Sequence, residues 1–445
     1  MKWRISGLAA FVLAALSTLT GSADEPKPIP VTRPAMKEAL DRLKFREPRL
    51  PFPAQTEEEG ADGERRRVNN GFMRSLYLPE ELRGGRGGRG RTGQGGTRRP
   101  DSDTGLDYAF SVELFWITSR VNNCHYCLGH QENKLLSAGV SEDRIAALDG
   151  RWEDFSPAEQ AAFAYCRKLT YEPHLIGDAD IAALRKFYSP QQILEMTLLV
   201  SRYNATNRWT DSLGIPQEEH RTFVTETSDG FRGLTSRVAP FDASGRSAEA
   251  APATAADRGK LETREEVEAA LAACAERKPR LPVAEESDAR EALPEDWPEG
   301  PLPQWVRLAT SFPRTGSGWC ASYEAARKHG RLAPELKAQI AWIAARHDRA
   351  WYAVGQAKKR LEALGYSADD IYALDAPGDR FTEGERAALA LTAKLTAAPQ
   401  WIDDDDIASL RAHYSDPEVA EIVYHVTLAA GFDRLTEAAG LALER

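Results

Sequence analysis

The chain has 445 residues, of which 42% are apolar, 28% charged and 9% aromatic. That length and balance fit two or three globular domains of about 150 residues and exclude a wholly disordered or collagen-like chain. A formal net charge of -10 excludes a molecule built as a whole to neutralise nucleic-acid phosphates or an anionic membrane, so no nucleic-acid partner is expected.

At the start of the chain, Lys2 and Arg4 precede the short apolar run Leu8 to Leu16 and the small residues Gly21, Ser22 and Ala23. This reads as an export signal, residues 1–23, with an uncleaved signal anchor as the alternative. Neither that run nor any later segment is long and apolar enough to span a membrane. The mature chain is therefore expected to be periplasmic or secreted, where a close cysteine pair can rest as a disulfide. Residues 83–99 (RGGRGGRGRTGQGGTRR) combine glycines that cannot build a core with arginines that repel one another. They predict a disordered surface insertion, with a polyanion-binding arm as the alternative.

Apolar residues then recur at three- and four-residue steps in 106–121, 124–138, 157–170, 177–188 and 190–213, and no period-two alternation appears. The pattern predicts helices, and the fold class is all-α over 106–214 and 332–441. Capping boxes at Ser156/Glu159 and Thr382/Glu385, and Pro157 at a first helical position, mark helix starts. The acidic run Asp403 to Asp406 reads as helix capping and not as a calcium loop.

Shifting the chain by 226 residues aligns 114–214 with 340–440 without a gap. Trp116-Ile117 meets Trp342-Ile343, Arg120 meets Arg346, Tyr126 meets Tyr352, Gly129 meets Gly355, Lys168-Leu169-Thr170 meets Lys394-Leu395-Thr396, and Arg208 meets Arg434. The expectation is a tandem duplication, with copy one over 35–225, a flexible linker over 226–262 and copy two over 263–445.

The chemistry-bearing stretch runs from Glu113 through Arg120, Cys124, His125, Tyr126 and Cys127 to His130 and Gln131. A Cys-x-x-Cys pair opening a helix favours thiolate at the helix N-terminus and spaces two sulfurs for a disulfide. On a helical wheel Cys124, Cys127 and His130 follow one another at steps of about 60°, so His130 can serve Cys127 as a base, whereas His125 points away. A structural disulfide and half of a zinc site are the alternatives. Zinc needs four ligands, and no second Cys-x-x-Cys or His-x-x-x-His completes a shell. A thioredoxin motif would follow a strand, and every neighbour here is helical.

The run from Glu113 to Leu148, with its helix, Asn-Asn, Cys-x-Tyr-Cys, Gly139 and Ile145-x-Ala147-Leu148, resembles the carboxymuconolactone decarboxylase and alkylhydroperoxidase D (AhpD-like) family. The resemblance implies an all-helical, oligomeric, cofactor-free peroxidase. It implies that Cys127 is oxidised by a hydroperoxide to a sulfenic acid, that Cys124 resolves it as a disulfide, and that His130 and Glu113 relay protons. Two positions depart from the family pattern, where Gln131 stands at the family's His and Val112 at its Glu. In copy two Cys124, Cys127, His130 and Glu113 become Ala350, Ala353, Gln356 and Gln339, so the sulfur chemistry is expected in copy one only.

The resulting expectation is a thiol peroxidase that takes a small hydroperoxide and an external thiol reductant, with no metal or other cofactor, and that packs its two copies together and forms homo-oligomers. The alternatives are a cofactor-free lyase of the decarboxylase branch and a non-catalytic binding or scaffold member, with a separate site in copy two around His347 and Asp348 also open. Cys166 reads as a buried thiol, Cys274 and Cys320 as a candidate disulfide. The polar stretch Asn204, Asn207, Arg208 and Trp209 either faces the cysteines or bonds to the other copy.

Overall fold

A computed structural model describes residues 29–52, 69–83, 105–223, 225–240, 260–312 and 315–444. The expected export signal, residues 84–99 of the Arg/Gly-rich run and residues 241–259 of the expected linker lie outside them.

The described residues are all-α, as the spacing predicts, with nineteen α-helices. Their extended pairing is an isolated bridge between Thr32 and Thr235. The first half carries α1 (Arg33–Arg42), α2 (Asn70–Tyr77), α3 (Tyr108–Val121), α4 (His125–Ser137), α5 (Glu142–Ala147), α6 (Pro157–Tyr171), α7 (Asp178–Leu184), α8 (Pro190–Ser212) and α9 (Asp229–Arg232). The second carries α10 (Arg264–Ala275), α11 (Glu286–Ala292), α12 (Gln304–Thr310), α13 (Gly316–Lys328), α14 (Pro334–Asp348), α15 (Trp351–Ala363), α16 (Ala368–Tyr372), α17 (Glu383–Ala397), α18 (Asp404–Arg411) and α19 (Asp416–Ala439).

Local sequence sets the boundaries. Both capping boxes form, Ser156 with Glu159 ahead of α6 and Thr382 with Glu385 ahead of α17, so each hydroxyl and carboxylate satisfies a backbone N–H without a helical partner. Asp403 and Asp406 cap α18 in the same reciprocal way. Ser189, Pro190 and Gln192 start α8.

α8 and α19 are buried on several sides and pack along each other at the centre of the molecule. A helix lodged between other helices needs no single apolar stripe, which is why both carry buried polar residues among apolar ones. Gly431 on α19 faces α8, where a Cβ would stand at ordinary contact distance, 3.4 Å from the Ser201 carbonyl oxygen.

The halves exchange contacts reciprocally. Arg208 donates to the carbonyls of Leu395 and Thr396 at 3.2 and 3.0 Å, and Arg434 donates to that of Thr170 at 3.3 and 3.0 Å. Arg49 pairs with Asp404 at 2.6 Å, and Arg280 with Asp178 at 2.9 Å. Each half thus reaches the equivalent place on the other, the pattern of a self-complementary interface. Apolar residues of both halves also share their cores, and the cluster that holds Cys124 and Cys127 includes Ile340, Val423 and Tyr424.

Residues 226–240 are no free tether. Thr227 donates to Glu142 at 2.9 Å, the Ser236 hydroxyl bonds Asp149, the Arg237 N–H donates to the Asp149 carbonyl at 2.9 Å, and Val238 is fully buried. A Ser-, Thr- and Gly-rich composition concealed this because the bonds are made by short polar side chains and backbone.

Candidate functional site

α3 ends at Val121, and Asn123 turns the chain with φ of 51°. Asparagine tolerates this left-handed conformation better than most residues. Cys124 follows in extended conformation as the residue before α4, and Cys127 lies in its first turn, where the helix dipole favours a thiolate.

Both sulfurs are buried and both are free thiols. A single hydroxyl links them, with Thr210 Oγ1 on α8 lying 3.3 Å from Cys124 Sγ and 3.2 Å from Cys127 Sγ. Burial pushes the Cys127 thiol up, but hydrogen bonds with Cys124, Thr210 and Asn207 outweigh it and hold the thiol below its ordinary value.

An amide lattice supports the pair. Asn122 Nδ2 donates to Asn204 Oδ1 and Asn207 Oδ1, each at 3.0 Å, and Asn207 Nδ2 donates to Ser119 Oγ at 3.0 Å. Arg208 then bonds Asn204 Oδ1 at 3.0 Å on its way to the other half. The polar stretch of α8 therefore serves both readings, Asn207 on the cysteine side and Arg208 across the interface.

His130 is placed differently from the helical-wheel expectation. Its Nδ1 lies 2.9 Å from the Tyr126 carbonyl and its Nε2 3.2 Å from Glu218 Oε1, with its ring 4.3 Å from that of Tyr126. Both ring nitrogens are occupied, and neither sulfur is among its hydrogen-bond partners. Glu218 lies on the strap after α8 and also accepts from Arg221 Nε at 2.7 Å and from the Tyr126 hydroxyl at 3.3 Å. Burial pushes this carboxyl up, yet His130 and Arg221 together hold it down at about 2. The strap runs close over α4, since a Cβ at Gly129 would strike the Gln217 amide at 1.6 Å.

Glu113 is buried on α3 and accepts from Arg144 Nε at 2.9 Å and Nη2 at 3.3 Å, and Arg144 also binds Glu159. Burial raises its carboxyl against the opposing pull of Arg144. Its bonds join α3 to α5 and α6, and neither sulfur is among its hydrogen-bond partners. Val112 is part of the apolar core, Gln131 donates to the Cys127 carbonyl at 3.1 Å, and His125 Nε2 lies 3.0 Å from Asn123 Oδ1.

The sequence reading missed Thr210 and Glu218 as site residues. The available signal was partial: in the second half Glu444 stands where the 226-residue shift places Glu218, and it accepts from the Tyr352 hydroxyl at 2.7 Å and from Gln356 Nε2 at 2.6 Å. Ala350 and Ala353 occupy the cysteine positions, Arg349 repeats the left-handed turn with φ of 52°, and Gln339 donates to the Tyr366 hydroxyl at 2.9 Å. Asp348 is engaged by Arg434 at 2.7 Å, with both groups fully buried.

The remaining cysteines are buried thiols. Cys166 lies 3.2 Å from Thr118 Oγ1, and burial pushes it up to about 12. Cys274 and Cys320 are both free, so the pairing expected between them is absent, and burial raises them to about 11 and about 12. Among the described residues no group of three or more His, Cys, Asp or Glu could hold a metal ion, and no helix is long and apolar enough to cross a membrane.

The site is thus a dithiol on an all-helical frame. No protein-family model matches the chain. Over 100 residues it is 26% identical to a Bacillus subtilis (strain 168) protein described as the uncharacterized protein YdfG, a match that covers 22% of this chain and 67% of that protein.

Proposed function

We propose that the chain is an exported thiol peroxidase of the carboxymuconolactone decarboxylase and alkylhydroperoxidase D type, a tandem duplication in which the first half alone carries out sulfur chemistry. The observation that carries this reading is the pair of buried sulfurs sharing the Thr210 hydroxyl, with the Cys127 thiol held below its ordinary pKa. The reciprocal contacts of Arg208 and Arg434 support the duplication.

In the proposed cycle the Cys127 thiolate attacks the terminal oxygen of a hydroperoxide. The O–O bond breaks as an S–O bond forms, and the departing alkoxide takes a proton to leave as the alcohol. Cys124 then attacks the sulfenic sulfur, forming the S–S bond and releasing water. The two thiols supply the two electrons, and an external dithiol returns them. Thr210, which touches both sulfurs, is assigned to proton transfer between them, and His130 to the surface-side relay with Glu218.

Peroxide consumption in the presence of dithiothreitol tests the scheme. The wild type is expected to turn over, Cys127→Ser to be inactive, and Cys124→Ser to stop at a sulfenic acid that dimedone traps. Turnover undiminished in Cys127→Ser contradicts it. The engagement of Glu113 with Arg144 and of His130 with Glu218 favours, as a second reading, a non-catalytic binding member, for which no variant changes peroxide consumption.

A further inference from the structure

The three asparagines beside the dithiol are buried, and their partners admit one orientation of each amide. Arginine has donors and no acceptor, so the oxygen of Asn204 must face Arg208 Nη1, 3.0 Å away. The nitrogen of that amide faces two acceptors, the Val200 carbonyl at 3.0 Å and Thr170 Oγ1 at 3.2 Å, whose own proton goes to the Cys166 carbonyl at 2.8 Å. Asn122 meets the Asn204 oxygen and so turns Nδ2 toward it. The second proton of that nitrogen goes to Asn207 Oδ1, again at 3.0 Å. Asn207 is left with its two N–H groups. One donates to Ser119 Oγ at 3.0 Å, a hydroxyl already committed as donor to the Phe115 carbonyl at 2.8 Å, and the other makes the hydrogen bond to Cys127.

The orientation has a chemical consequence, since an N–H at this place stabilises a thiolate and an amide oxygen opposes one. The second half provides a comparison. The 226-residue shift places Asp348, Ala430 and Asp433 opposite Asn122, Asn204 and Asn207, just as Ala350 and Ala353 stand opposite the cysteines. The arginines that reach across, Arg208 and Arg434, are kept. Packing of the central helices is thus met without the amides, which are present only where the sulfurs are. Asp433 shows what a carboxyl meets at the position of Asn207. It is buried, one of its oxygens has no hydrogen-bond partner among the described residues, and burial together with the nearby Asp348 raises it well above its ordinary value.

We propose that Asn207 is a catalytic residue of the dithiol, holding an N–H on Cys127 Sγ, and that Asn122 is the residue that positions it. The groups that act on the same sulfur are Cys124 ahead of α4 and Thr210 on α8, both of which favour the thiolate. Against them stands the carboxylate of Asp211 on α8, itself 3.7 Å from Arg46. The catalytic role of Asn207 rests on the peroxidase reading; its control of the thiol does not.

Alkylation of the full reduced chain by iodoacetamide as a function of pH, followed at Cys127 by mass mapping, gives a midpoint that reports the ionisation of that sulfur. Asn207→Leu removes the donor and is expected to raise the midpoint by about one pH unit, and Asn207→Asp, which sets an acceptor against the sulfur, by about one to two. Asn122→Leu is expected to move it in the same direction by less. In the Asn207→Leu background Asn122→Leu is expected to add nothing, because it acts through Asn207. An unchanged midpoint in Asn207→Leu overturns the proposal, and a full further shift from Asn122→Leu in that background overturns the positioning role. If either Asn207 variant loses its helical circular dichroism, Asn122→Leu decides, and an unchanged midpoint there overturns the proposal. A second arm follows kcat/KM for an alkyl hydroperoxide against pH. A profile that moves with the alkylation midpoint in Asn207→Leu supports the catalytic role, and one that stays in place while the midpoint moves overturns that role and leaves the peroxidase reading intact. A moved midpoint with no peroxide reduction by the wild type overturns the peroxidase reading and leaves the control of the thiol standing.

Discussion

Thr210 is the residue on which the dithiol turns, because one hydroxyl stands within hydrogen-bond distance of two buried sulfurs. A hydrogen bond to a charged group contributes about 1.5–3 kcal/mol, equivalent to a shift of about one to two pH units. Thr210→Val is therefore expected to raise the Cys127 pKa and slow its alkylation by iodoacetamide about tenfold at neutral pH, whereas Thr210→Ser keeps the wild-type profile. An unchanged pH profile in Thr210→Val would show that the hydroxyl does not set the thiol. Glu218 gives a prediction with a definite sign. Its carboxyl is held at about 2 in the folded protein, below its ordinary 4.5, so its stabilising contribution is complete above 4.5 and fades as pH falls toward 2. The difference in Tm between wild type and Glu218→Gln should be largest near neutrality and shrink through that window; a difference that grows on acidification would refute the assignment. The cysteine pair was legible in the sequence because its spacing is local to one helical turn. Thr210 and Glu218 were not, because they lie more than eighty residues away and only the packing of α8 and its strap brings them in. His130 illustrates the limit of a helical wheel, which gives a direction around α4 but not the partner that claims the ring.

At the scale of elements, α8 and α19 join the halves through equivalent arginines with different surroundings. Arg434 pairs with fully buried Asp348, and Arg208 bonds the Leu395 and Thr396 carbonyls and the Asn204 amide. Removing one partner of a buried ion pair strands the other charge, at a cost of about 3–5 kcal/mol. Urea titration is expected to show Arg434→Ala destabilised by about that amount, and an unchanged midpoint would contradict the account. The helices themselves were readable from apolar spacing and from capping boxes such as Ser156/Glu159, both of which act within a few residues. The 226-residue shift aligned Arg208 with Arg434, but a shift cannot say that each would reach into the other half. The expected linker shows the converse error, since the composition of 226–240 hid the bonds that Thr227, Ser236 and Arg237 make to the first half.

For the whole molecule, shared cores and reciprocal arginines tie the halves into one cooperative unit. Urea unfolding followed by tryptophan fluorescence and by helical circular dichroism should give coincident transitions, whereas two separated transitions would mean that the halves are independent. Within that unit Cys124 and Cys127 form the dithiol, and Cys166, Cys274 and Cys320 are buried thiols with raised pKa values. Mass mapping of free thiols after the fully reduced protein meets one equivalent of an alkyl hydroperoxide tests that assignment most directly. The account predicts a Cys124–Cys127 disulfide with the other three thiols intact, and no disulfide when Cys127 is replaced by Ser. All five thiols surviving the peroxide, or oxidation falling elsewhere, would contradict it.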